Sequence, residues 1–107
     1  MIEIRRGTTP TIKLETEMEL SSFDEIYLVI KQETVNGYVC IEKKLTEDGK
    51  IVDDTRFNIK LTQEETLALS DGRRAELQLK GRLTNGDVVS TDITELKIAR
   101  VLKEEVI

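Results

Sequence analysis

From Ile12 to Leu20 the chain alternates without a break. Ile12, Leu14, Thr16, Met18 and Leu20 fall on one side, and Lys13, Glu15, Glu17 and Glu19 fall on the other. A helical period would scatter these two sets around a cylinder. A strand with one face buried and one in water sorts them cleanly, because its side chains point to opposite faces in turn. The same period returns at Ile26, Leu28 and Ile30, at Val39 and Ile41, and at Phe57, Ile59 and Leu61. It appears again at Ala75, Leu77 and Leu79, and in a last run from Val88 to about Val101. Tyr27 and Val29 make the second face of the Ile26 run partly apolar too, which predicts a strand with neighbours on both sides.

The punctuation between these runs is that of a β protein. Asn36-Gly37 and Asn85-Gly86 each separate two alternating segments, the strongest short-range signal for a hairpin. Asp48-Gly49 and Asp71-Gly72 carry the same turn chemistry, since glycine accepts a positive φ at little steric cost. Short strands with closely spaced turns predict an all-β fold of about seven antiparallel strands in two layers, a sandwich or a barrel. One segment departs from the period of two. Thr62 followed by Glu65 forms a capping-box pattern, which predicts one short helix near residues 63–69. Leu61, Leu67 and Leu69 would press it onto the sheets, and Asp71-Gly72 would end it. The final run also slips in phase, because Ile93 is out of step with Leu96 and Ile98. Either an extra residue near Thr94-Glu95 forms a bulge, or Ile93 faces outward.

A length of 107 residues suits a single domain over 1–107. Aromatic residues make up only 4% and there is no Trp, so the core has to rest on Ile, Leu and Val. A net charge of −5 argues against nucleic acid as a partner, which needs clustered Lys and Arg. The sequence has neither the long apolar run of a membrane span nor the apolar segment of a signal peptide, so synthesis in the cytoplasm and no membrane partner are expected. Cys40 is the only cysteine and cannot form an intrachain disulfide.

The residue inventory holds little reactive chemistry. The absence of histidine removes the commonest general acid or base and the usual zinc-binding clusters. Asp53-Asp54 lacks the spacing of a calcium loop and reads as a solvated turn. Glu64-Glu65 is explained by helix capping and the macrodipole. Cys40, between Tyr38 and Glu42 on its own face, reads as a small apolar residue and not a nucleophile. The opening RRGTTPTIKL has a glycine and a later lysine, but lacks the GK[ST] ending and following helix of a phosphate loop. Pro10 there suits the entry to a strand or an edge. No catalytic, cofactor-binding or metal-binding residue is assigned, and no cofactor is expected.

Three stretches carry a resemblance. Ile4-Arg5-Arg6-Gly7-Thr8-Thr9-Pro10-Thr11, Leu61-Thr62-Gln63-Glu64-Glu65-Thr66-Leu67 and Arg100-Val101-Leu102-Lys103-Glu104-Glu105-Val106-Ile107 resemble short proteins encoded in prophages of Gram-positive bacteria. The RGTTPT opening is also similar to the amino-terminal domain of phage baseplate upper proteins. That resemblance implies an immunoglobulin-like antiparallel β-sandwich. It also implies a non-enzymatic phage structural or assembly protein, a tail or baseplate component made in the host cytoplasm and carried in the virion. Its partners would be other phage structural proteins or further copies of itself. An open sandwich has unpaired strand edges, and the amino-terminal arm is the candidate contact, with apolar Ile2 and Ile4 and the donors Arg5 and Arg6. The arm could instead complete its own sheet. The competing function is a free-standing ligand-binding module, for example for carbohydrate, although Tyr27, Tyr38, Phe23 and Phe57 are few aromatics for a sugar platform.

Overall fold

In the computed structural model, which describes residues 2–107, the alternating runs become the strands of two sheets that share one core. The larger sheet contains β1 (Ile2–Arg5), β3 (Phe23–Thr34), β4 (Gly37–Lys44), β7 (Arg74–Leu83), β8 (Val88–Ser90) and β9 (Thr94–Ala99). Its order is β1-β9-β7-β3-β4, with β8 also paired to β7. The smaller sheet contains β2 (Thr11–Glu15), β5 (Gly49–Ile51) and β6 (Arg56–Lys60) in the order β2-β6-β5. Two short helices, α1 (Leu45–Asp48) and α2 (Gln63–Ala68), connect strands of the two sheets. The fold is an all-β sandwich.

The core is aliphatic, as the composition requires. Ile12, Phe57 and Ile59 of the smaller sheet share one buried cluster with Ile4, Leu28, Ile30, Ile41, Leu77, Leu96 and Ile98 of the larger. Leu61 and Leu69, at the two ends of α2, are fully buried and press it onto the sandwich, while Leu67 is only partly buried. The 12-residue β3 lies between β7 and β4, which accounts for the apolar residues on both its faces. Near its start the pairing with β7 shifts between Phe23 and Glu25. The Phe23 ring there covers Gly81, where an added Cβ would sit 2.5 Å from the ring.

Several local features differ from the sequence reading, each for a visible reason. Among the described residues the strand count rises to nine because β1 forms on its own, β5 adds a short edge, and the last run divides into β8 and β9. The pairing on β7 moves by one residue between Lys80↔Ser90 and Leu77↔Thr94, so the extra residue lies just before Thr94. Thr91 seals the break: its N–H donates to the Leu79 carbonyl at 3.0 Å, and its hydroxyl accepts from Leu79 N–H at 3.1 Å. Ile93 beside it faces water, so both alternatives for this run occur together. The run from Ile12 stops at Glu15, because the Thr16 hydroxyl donates to the Met18 carbonyl at 2.7 Å and bends the chain. Met18 is consequently exposed, and Leu20 reaches the core from a 3-10 turn at Leu20–Ser22. Asp48-Gly49 is not a positive-φ turn. Gly49 has φ −102° at the end of α1, and a side chain there would meet the Leu45 carbonyl at 2.8 Å. All pairings are antiparallel except one: β1 runs parallel to β9, with Ile2 opposite Leu96 and Arg5 opposite Ala99.

The capping box forms in full. Thr62 accepts from Glu65 N–H at 3.2 Å, and the Glu65 carboxylate accepts from Thr62 N–H at 2.8 Å. The same carboxylate oxygen accepts from the Lys43 ammonium at 2.7 Å, which joins the start of α2 to β4. Thr62→Ala should therefore lower stability by about 1 kcal/mol, the usual value of an N-cap. Glu65→Ala should cost more, because it also strips the largely buried Lys43 of its counter-charge. Denaturant midpoints of the two variants check this order.

Candidate functional site

The opening stretch RRGTTP is a docking loop within the chain. Gly7 takes φ +72°, and the space where its side chain would stand is occupied by Leu67 at 3.3 Å. The Thr8 carbonyl accepts from the hydroxyl of the fully buried Thr66 at 2.9 Å, and the Pro10 carbonyl accepts from Leu61 N–H at 3.0 Å. The loop thus lies along α2 and supplies the partners that a polar group buried there requires.

Arg6 holds this junction. Its Nε donates to the Leu69 carbonyl at 2.6 Å and its Nη2 to the Leu67 carbonyl at 3.0 Å. Its Nη1 pairs with Glu104 at 2.8 Å and lies 3.7 Å from Asp71. A helix leaves its last carbonyls without intrahelical donors, so a guanidinium at that end is both a hydrogen-bond donor and a favourable charge. The tail is held at the other end of α2 as well, where the Gln63 amide exchanges hydrogen bonds with the Ile107 backbone at 2.8 and 3.0 Å.

The four arm residues singled out from sequence are therefore divided. Ile4 is buried in the core and Arg6 is occupied by α2, Asp71 and the tail. Ile2 is half-buried against the core, and Arg5 is exposed with a long, solvent-facing pair to Glu3. The arm completes its own sheet, and it also leaves β1 as the edge at one end of that sheet's strand order, while the three-residue β8 is bonded only to β7.

The other edge is β4, twice as long, and sequence reasoning did not select it. Its free backbone groups can be assigned from the neighbouring pairings. The Leu79 carbonyl accepts from Thr91 N–H, so Leu79 turns its backbone groups away from β3. Leu28, opposite Leu79, must then direct its own groups to β4, where it faces Lys43. Because hydrogen-bonded and non-hydrogen-bonded pairs alternate, Gly37, Val39, Ile41 and Lys43 bond to β3. Tyr38, Cys40, Glu42 and Lys44 point their N–H and C=O groups outward. Asp48 closes the end of this row by accepting from Lys44 N–H at 3.1 Å. Tyr38, Cys40 and Glu42 are exposed, and no strand lies beyond them.

The acidic candidates have local structural duties. Asp53 accepts from Thr55 N–H at 3.0 Å and from Arg56 Nε at 2.7 Å, which fixes the β5–β6 turn. The Arg56 side chain and the Thr55 N–H together lower its pKa to about 2. The Asp54 carbonyl accepts from Leu20 N–H at 2.6 Å. Sequence reasoning missed Glu25, whose carboxylate is buried between β3 and α1. Burial alone would raise its pKa. The hydroxyl and N–H of Thr46 and the N–H of Ile26 all donate to it, Lys44 adds positive charge, and the net effect is a lowered pKa. Among the described residues no group of three or more His, Cys, Asp or Glu is placed to hold a metal ion, and no helix is long and apolar enough to cross a membrane. No family model matches this chain, and no curated protein matches it.

Two sets of variants test these roles. Arg6→Ala should lower stability by about 2–3 kcal/mol, the scale of hydrogen bonds to a charged group. Arg6→Lys should recover only part of that loss, because an ammonium cannot reproduce the planar fork. For Glu25 the folded pKa lies below the ordinary value of 4.5. Its stabilisation is thus fully present above that value and is lost as pH falls through the folded pKa. Melting temperatures of the parent and Glu25→Gln should differ near neutral pH and converge as the solution is acidified below that window.

Proposed function

We propose that this protein is a non-enzymatic structural or assembly component of a phage or prophage, acting through protein–protein contacts in a tail or baseplate. The observation that carries the contact part of this reading is the larger sheet's open boundary. It ends in β1 on one side and in the eight-residue β4 on the other, and an unpaired edge is a template for another strand. Exposed apolar side chains at the β3–β4 turn, Val35 and Tyr38, lie beside that longer edge. The phage origin rests on the resemblance of the opening, middle and closing stretches, and an immunoglobulin-like sandwich is the form that resemblance implies.

The larger sheet's outer surface also favours contact over chemistry. Cross-strand neighbours there are Glu3, Lys97 and Arg74 in one row and Glu95, Glu76, Lys31 and Cys40 in the next. Such mixed rows orient a partner of complementary charge without creating a single-sign field. The carbohydrate reading has less support, because Phe57 is fully buried, Phe23 packs on the core and Tyr27 is half-buried, which leaves Tyr38 as the exposed ring.

Mass spectrometry of purified particles and assembly intermediates from an induced lysogen carrying the gene tests the proposal. The chain should be present at a fixed ratio to tail or baseplate proteins. Its absence from particles and all intermediates would overturn the reading.

A further inference from the structure

We infer that β4 is the interface between two copies of this chain, paired antiparallel about a two-fold axis at Cys40. The inference deepens the assembly reading by naming a partner for one edge, and it rests on that reading only in treating an open edge as a contact surface. On β4, Tyr38, Cys40 and Glu42 offer the outward backbone groups left for a partner, since Asp48 already occupies Lys44 N–H. Setting Cys40 opposite Cys40 of the second copy places Tyr38 opposite Glu42 and Glu42 opposite Tyr38. Each facing pair then exchanges two backbone hydrogen bonds, and the outward N–H and C=O of Tyr38, Cys40 and Glu42 are all used.

The side chains agree with this register on both faces. On the solvent face the Tyr38 phenol, a donor, meets the Glu42 carboxylate, an acceptor. On the core face Val39, which is only partly covered in one copy, meets Ile41 of the other. Lys43, held by Glu65, meets Gly37, which has no side chain to obstruct it. The neighbouring registers fail on named contacts. A two-fold at Glu42 sets two carboxylates directly opposite and is destabilised by their repulsion. A two-fold at Ile41 requires Lys44 to bond with Tyr38, and Asp48 is already there. Registers nearer the turn leave Glu42 without a partner. The result is one continuous sheet crossing both copies, closed by symmetry so that neither β4 remains an edge.

Light scattering on the intact protein, under reducing conditions and up to millimolar concentration, should give twice the 12.2 kDa chain mass. Cys40→Pro removes an N–H that points away from β3, so it should leave the circular dichroism unchanged and halve that mass. Cys40 also reports the register in the folded parent. Directly opposed hydrogen-bonded residues have Cα atoms about 5.5 Å apart, within the span of a disulfide. Oxidised glutathione should therefore convert the two Cys40 thiols to one intermolecular disulfide, taking two electrons and two protons and leaving two reduced glutathiones. The double variant Tyr38→Cys, Cys40→Ser should not cross-link, because each new thiol would face Glu42. A parent that stays monomeric throughout overturns the inference, as does a folded Cys40→Pro of parental mass or a double variant that cross-links as readily as the parent. If Cys40→Pro does not fold, the cross-linking comparison decides. A dimer that never enters particles would leave this pairing standing and remove only the phage assignment.

Discussion

Four oxygen atoms converge on the Arg6 guanidinium: the carbonyls of Leu67 and Leu69 and the carboxylates of Asp71 and Glu104. They come from the end of α2, the turn after it and the tail, so one side chain joins segments widely separated in sequence. The geometry suits arginine because a planar fork can meet a helix end and a carboxylate at once. Its influence extends past the junction itself. With α2 fixed at this end and by Glu65 at the other, Leu61 and Leu69 are held against the sheets, and the loop from Gly7 to Pro10 gains a surface to lie on.

Much of this was legible in the sequence because its largest energetic contribution, burial of aliphatic residues with a period of two, is written residue by residue. The Ile26 run, the two Asn-Gly hairpins and the Thr62 capping box depend on neighbours close in the chain, and the structure contains them all. Features settled by distant partners were not legible. Nothing near Thr8 says that its carbonyl will meet the Thr66 hydroxyl, and nothing near Gly7 says that Leu67 will fill the space beside it. Arg6 looked like a free donor because its acceptors lie far along the chain, a separation of 61 to Leu67 and 63 to Leu69. The β4 edge was hidden for a similar reason, since which strand ends a sheet is a property of topology and not of any local motif.

The two edges of the larger sheet are managed differently. β1 is short, and Glu3 and Arg5 line its solvent face. Short length and charge are common protections against unwanted pairing. β4 has a limit only at its far end, where Asp48 takes the Lys44 N–H and Lys43 is turned inward to Glu65. The open portion is thus bounded by the turn at one end and by α1 at the other. An edge of defined length accepts a strand in few registers, which is how a β surface gains specificity without a pocket.

The parallel pair at β1 and β9 has a consequence for how the molecule is made. Synthesis proceeds from the amino terminus, so β1 emerges before the strand it needs, which follows about 90 residues later. Until then Ile2 and Ile4 have no sheet to join, and Arg6 has the Leu67 and Leu69 carbonyls and Asp71 without Glu104. The hairpin β3–β4 can close early because its strands are adjacent, and the β7–β8 hairpin can do the same. A chain stalled or cut before β9 would therefore carry a well-formed centre and an apolar leading segment with no place to go. Nascent copies on one message would then be sensitive to crowding, with β9 acting as the release from that hazard.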